Sequence, residues 1–121
     1  MDQFKIDVSY DGTNNEIVVV TPHGYIDATT CPDVEKEILK QLSKECYKII
    51  VHLPYCEYVN SSGWGVFIRE IKDIRQHQGD LVLADMSPDV HMVYETMEFS
   101  KILKSFPSLR ESVSYFYTGI G

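Results

Sequence analysis

Apolar and polar residues alternate over Phe4-Lys5-Ile6-Asp7-Val8, the period of a strand with one face against a core. The segment Asp11-Gly12-Thr13-Asn14-Asn15 is rich in turn formers, and a β-branched run follows from Glu16 to Thr21. Strand, turn and strand predict a hairpin. Pro22-His23-Gly24 interrupts its second arm, as a bulge or a bend, before Tyr25-Ile26-Asp27. The period then lengthens to that of a helix: Val34, Ile38 and Leu42 form one stripe, while Glu35, Lys36, Lys40 and Lys44 can face water. Thr29 or Thr30 can cap this helix, with Pro32 in its first turn. Tyr47 to Leu53 carries Ile49-Ile50-Val51 without alternation, as a strand buried on both faces does, and Pro54 closes it.

A second helix is predicted from about Ser62 to Gln78, because Trp64, Phe67, Ile68, Ile71 and Ile74 repeat at helical spacing before Gly79-Asp80. Leu81 to Ala84 reads as a short strand. Ser87-Pro88-Asp89 supplies a cap, a first helical position and a favourable charge, with Val90, Val93 and Met97 on the buried side of the helix that follows. Lys101 to Ser105 offers a last strand. Ser108-Leu109-Arg110-Glu111 matches a capping box for a terminal helix reaching about Tyr115. The order β-β-α-β-α-β-α-β-α predicts an α/β fold: a mixed, largely parallel central sheet with about four helices and right-handed crossovers.

The 121 residues are enough for one domain, 1–121, with a real core, and too few for two. Met1 to Lys5 carries both charges and no apolar run, so no secretory signal is expected, and no stretch is long enough for membrane insertion. Cys31, Cys46 and Cys56 are odd in number and scattered, the usage of reduced thiols in a cytoplasmic protein. A net charge of -7 argues against direct nucleic-acid binding, which needs clustered Lys and Arg.

Candidate chemistry gathers at Asn60-Ser61-Ser62-Gly63-Trp64, between the buried strand and the second helix. One reading is structural: a serine hydroxyl caps the helix and Gly63 allows close approach. The other is functional: a hydroxyl exposed at a helix N-terminus is a favourable place for a phosphate, whose charge and bulk would then meet any partner docked there. Trp64 reads either as the head of the apolar stripe or as a rigid anchor for a partner.

The stretch Tyr58-Val59-Asn60-Ser61-Ser62-Gly63-Trp64-Gly65-Val66-Phe67 resembles the signature loop and helix of STAS domains, particularly bacterial anti-sigma factor antagonists, whose usual form is Asp-Ser-Ser-Gly followed by Leu-Gly. Gly24-Tyr25-Ile26-Asp27-Ala28 is similar to the Gly-x-Ile/Leu-Asp segment before helix 1 of the same family, and the resemblance extends over essentially the whole chain. It implies a protein-binding module and not an enzyme. The implied partner is an anti-sigma factor with an ATP-binding serine kinase fold, which phosphorylates the first signature serine; a phosphatase restores it. Carried over, Ser61 is the phosphoacceptor, Asn60 stands at the adjacent acidic position, Gly63 permits the tight helix start, and Asp27, Ser62 and Trp64 complete the partner-facing set. Two departures matter: Asn60 replaces Asp, and His52-Leu53 stands where relatives have Asp-Leu. They motivate an alternative, a non-phosphorylated STAS scaffold in a signalling or transport assembly, bound to other STAS proteins.

Ser61, His52 and Asp27 are the ingredients of a hydrolase, but Gly-x-Ser-x-Gly is absent. His23, His52, His77 and His91 have no compact ligand spacing and the cysteines form no CxxC, so no metal is expected. Gly63-Trp64-Gly65 matches neither a phosphate-binding loop nor a dinucleotide fingerprint, and no cofactor is expected.

Overall fold

The structure is a computed structural model and describes residues 3–118; the outermost residues of the predicted domain, 1–2 and 119–121, lie outside the described residues. Strand β1 (Lys5–Asp11) pairs antiparallel with β2 (Ile17–Ile26), the predicted hairpin. Helix α1 (Cys31–Ser43) crosses to β3 (Lys48–His52), which lies parallel to β2. A short strand β4 (Cys56–Val59) follows, then α2 (Ser61–Arg69), α3 (Ile71–Gln76) and β5 (Asp80–Ala84), parallel to β3. The chain ends through α4 (Pro88–Thr96), a 3₁₀ turn (Phe99–Lys101), β6 (Ser105–Phe106) and α5 (Leu109–Thr118). The sheet order is β1-β2-β3-β5-β6, with β4 paired to the far half of β2. This is the predicted mixed, largely parallel α/β architecture.

Burial on both faces explains the unbroken apolar runs of the central strands. Val18, Val20, Ile49, Val51, Leu81 and Leu83 point into the core beneath α1 to α4. Their neighbours Ile17, Val19, Ile50 and Val82 point the other way, under Phe116 of α5. A fully buried Ile or Leu side chain stabilises by roughly 1.5–3 kcal/mol, so two covered faces give a short sheet a substantial core. Asp80 is buried at the N-terminal end of β5, where it takes Arg75 Nε (3.2 Å) and the Tyr115 hydroxyl (2.8 Å) and so ties α5 to the sheet.

Several boundaries differ from the sequence reading. Pro22-His23-Gly24 does not end β2: the strand continues, Gly24 already pairs with Cys56 of β4, and a register shift between Gly24 and Tyr25 within that pairing is the bulge reading of the segment. The predicted Ser62–Gln78 helix is divided at Glu70 into α2 and α3. Neither Thr29 nor Thr30 caps α1 with its side chain onto the helix; Asp27 takes their amides instead. Met97 is 60% exposed, and Tyr94 fills the inward position with its hydroxyl on the Leu103 carbonyl (2.5 Å). The last strand starts at Ser105, because Lys101 closes the 3₁₀ turn. Ser108 starts α5 as read, its hydroxyl accepting from Glu111 N (3.2 Å), but it is this hydroxyl, and not the Ser108 amide of a full capping box, that donates to the Glu111 carboxylate (3.0 Å).

Candidate functional site

The chain leaves β2 and β4 side by side. Ile26 and Val59 are register partners, and the Asn60 amide donates to the Ile26 carbonyl (2.9 Å), so Asp27 and Asn60 emerge at the same junction. Asn60 has extended backbone (φ −86, ψ −178) and its Oδ1 accepts from Gly63 N (3.2 Å). Its carbonyl accepts from Trp64 N (3.1 Å). Asn60 is therefore the N-cap of α2, which corrects the expectation that a serine hydroxyl caps it. Ser61 and Ser62 occupy the first helical positions, both exposed, and neither hydroxyl makes a hydrogen bond among the described residues.

Gly63 is buried where the helix start meets the two strands. A Cβ there would lie 2.7 Å from Ile26 Cγ2 and 2.7 Å from Val59 Cγ1, so the close approach requires glycine. Trp64 resolves to the core reading. It is 2% exposed, its Nε1 donates to the Val59 carbonyl (3.1 Å), and its ring stacks on Phe99 with centroids 4.7 Å apart. A side chain so enclosed does not face a partner, and the anchor reading of Trp64 is withdrawn.

Asp27 is held by its own loop. Its Oδ1 accepts from Thr29 N (2.9 Å) and Thr30 N (3.1 Å), while the Thr30 hydroxyl accepts from Asp27 N (2.9 Å) and donates to the Tyr25 carbonyl (2.7 Å). The side chain of Asp27 thus fixes the loop beside Asn60 and Ser61, and the structure brings these three residues to one surface. Sequence reasoning passed over the aromatics of that surface. Tyr25 and Tyr58 are register partners across β2 and β4, both exposed (54% and 42%). Tyr55 stacks on His23 (4.7 Å) over an open groove of about 1010 Å³ that Tyr25, Asp27 and Glu57 also line. Alternation gave no signal there: in Cys56-Glu57-Tyr58-Val59 the outer residues are buried and the inner pair exposed, a pattern without the period of two.

His52 stands elsewhere. Its Nε2 bonds Asp85 Oδ2 (2.7 Å) and its Nδ1 lies 3.4 Å from Thr21 Oγ1, so it is a hydrogen-bonded structural histidine. Ser61, His52 and Asp27 do not assemble into a triad, since Asp27 serves backbone amides and the carboxylate on His52 is Asp85. Cys56, beneath the site, is kept unreactive by burial, which pushes its thiol up to about 11. Among the described residues no group of three or more His, Cys, Asp or Glu is placed to hold a metal ion, and no helix is long and apolar enough to cross a membrane.

Comparison with known proteins gives a consistent relationship. The family model of the STAS domain matches residues 11–112. An anti-sigma-B factor antagonist of Listeria monocytogenes is 33% identical over 81 residues, covering 67% of this chain and 71% of that one. The crystal structure of an anti-sigma factor antagonist from Mycobacterium paratuberculosis superposes with a TM-score of 0.81 at 17% identity, over 93% of this chain and 92% of the other. The antagonist SpoIIAA in its unphosphorylated form superposes with a TM-score of 0.73 at 17% identity, over 96% of this chain and 100% of that one. At such identities the two structural matches establish the fold alone.

Proposed function

We propose that this chain, which belongs to the STAS domain family, is a cytoplasmic anti-sigma factor antagonist. It acts as one domain, binding an anti-sigma factor of serine-kinase fold while Ser61 is unmodified and releasing it once Ser61 is phosphorylated. The observation that carries the reading is that Ser61 is exposed at the first position of α2 with no structural task, because Asn60 caps the helix in its place. Its hydroxyl is free to react, and the fold does not depend on it.

In the transfer, Ser61 Oγ bonds to the γ-phosphorus of ATP held by the partner. The bond from that phosphorus to the β–γ bridging oxygen breaks, ADP leaves, and the hydroxyl proton passes to a base on the kinase. The product carries about 1.5–2 negative charges at neutral pH, at a helix start whose free amides and dipole favour them. The same charge is unfavourable to a protein face fitted to the neutral hydroxyl. A phosphatase returns the serine.

Asn60 supports a second reading, in which the chain is a permanent scaffold bound to other STAS proteins, since the family pattern has Asp beside the acceptor. One experiment separates the two. The chain is incubated with ATP and each anti-sigma factor of serine-kinase fold encoded in the same genome, and intact mass and site mapping are followed by binding titrations. The switch predicts one phosphate on Ser61, none on Ser61→Ala, and binding by Ser61→Asp weakened about tenfold or more, the effect of a charge left unpaired in an interface. No added phosphate, together with undiminished binding by Ser61→Asp, refutes it in favour of the scaffold.

A further inference from the structure

Strand β1 forms one edge of the sheet, and among the described residues no strand lies beside its outer row of amides and carbonyls. The opposite edge, β6, is only two residues long and is blunted by brevity. β1 is seven residues long, pairs in an unbroken register with β2, and contains neither proline nor a bulge. Edge strands of this kind are commonly protected by charged side chains, especially Lys. Here the charges are mixed, Lys5 at one end and Asp11 at the other, with Asp7 between them and bound to His23 (2.8 Å).

We propose that β1 is the contact through which two copies of this chain associate, antiparallel about Val8. In this register Val8 faces Val8 of the second copy, Ile6 faces Tyr10, Asp7 faces Ser9, and Lys5 faces Asp11 at both ends. All seven residues are paired. The exposed Tyr10 ring (41% exposed) and the half-buried Ile6 and Val8 lie on one face, an aromatic and β-branched pairing of the kind that stabilises sheets. The other face carries two Lys5–Asp11 ion pairs. A slip by one residue would set apolar positions of one copy beside polar positions of the other. A slip of the two-fold centre to Asp7 places Asp7 against Asp7, and a slip to Ser9 places Asp7 against Asp11 twice. Only the Val8-centred register uses the full strand without opposing like charges.

The arrangement leaves the Ser61 surface open. Lys5 pairs with His23 near the Asp27 end of β2, and Asp11 pairs with Ile17 at the other end. Antiparallel association therefore sends the two Ser61 sites to opposite ends of the continuous sheet, each accessible to its own partner.

Sedimentation velocity across micromolar to millimolar concentrations tests the contact. The wild-type chain shows a concentration-dependent dimer. K5E sets Glu against Asp11 at both ends and raises the dissociation constant about tenfold or more. D11K does the same, and the K5E/D11K double variant restores wild-type association. Lys5 and Asp11 are exposed, and circular dichroism verifies that each variant is folded. Asp11 also accepts from Gly12 N (2.6 Å), so K5E alone is the arm free of any turn effect. A wild-type monomer throughout, a dimer indifferent to K5E, or a folded double variant that fails to regain association overturns the proposal.

Discussion

Replacing Gly63 by Ala is the most direct test of how the helix carrying Ser61 is seated. The added Cβ falls 2.7 Å from one methyl of Ile26 and 2.7 Å from one of Val59, about an ångström inside ordinary carbon contact. Those side chains are 0% and 1% exposed, so neither can swing into solvent, and relief requires the helix start to lift from β2 and β4. Overpacking of this kind costs typically about 1–3 kcal/mol. Removing a helical glycine returns about 0.5–1 kcal/mol, leaving Gly63→Ala destabilised by roughly 1–2 kcal/mol. Gly65 is the matched control, in the same helix with nothing within 4 Å of a Cβ. Gly65→Ala collects the conformational gain without the clash and is stabilised by about 0.5–1 kcal/mol. The two variants should thus melt roughly 5–10 °C apart for a chain of this size, with urea midpoints shifted in opposite directions at an unchanged slope. A Gly63→Ala variant as stable as Gly65→Ala would show that the helix start is not held against the strands.

Asn60→Ala removes the cap on Gly63 N and should cost about 1 kcal/mol in urea unfolding, whereas Asn60→Asp keeps an acceptor, adds a charge at the positive end of α2 and matches or exceeds wild type. Equal losses in both would mean that the amide, and not the acceptor oxygen, is what the site needs. Tyr115 is pushed up to about 12 by burial and by the Asp80 carboxylate to which it donates, against an unfolded value near 10. Its protonated form is favoured by the fold, so its contribution is complete below about pH 10 and is lost as pH rises toward 12. The stability gap between wild type and Tyr115→Phe should therefore be widest below pH 10 and close above it; a gap independent of pH from 8 to 12 contradicts this assignment.

The elements that could be read from the chain are those whose pattern is long enough to repeat. Val34, Ile38 and Leu42 gave α1 its inward stripe, and the Ile49-Ile50-Val51 run gave β3 its place between two covered faces, which the structure confirms by sending alternate residues to opposite cores. β4 was missed because four residues hold too little alternation to stand out after Pro54. Met97 was misplaced because α4 ends at Thr96 and a turn takes over, so the stripe of Val90 and Val93 cannot be extended by another turn. At the candidate site the sequence pointed to a serine as the cap, and the structure puts Asn60 there. Asn, Asp and Ser are nearly equal at that position, and only the register of Ile26 with Val59, a pairing between distant segments, decides that the helix begins at Ser61.

That reassignment changes what Asn60 means for the proposed switch at Ser61. Were a serine hydroxyl the cap, its phosphorylation would put bulkier phosphate oxygens in place of the capping oxygen and force the cap to rearrange. With Asn60 Oδ1 on Gly63 N, the Ser61 oxygen can change charge while the cap is undisturbed. A carboxylate at position 60 would also hold the cap, but it would stand one residue from the new phosphate. Charges a few ångströms apart in water repel by about 1 kcal/mol per unit pair. The neutral amide avoids that cost and leaves the helix dipole to the phosphate. On this physical ground a neutral Asn60 would favour phosphate at Ser61, and any weakening of the proposed switch by the departure from Asp would arise in how a kinase recognises the surface. Asn60→Asp separates these effects: the unmodified domain should gain stability while the additional stabilisation from phosphate at Ser61 shrinks.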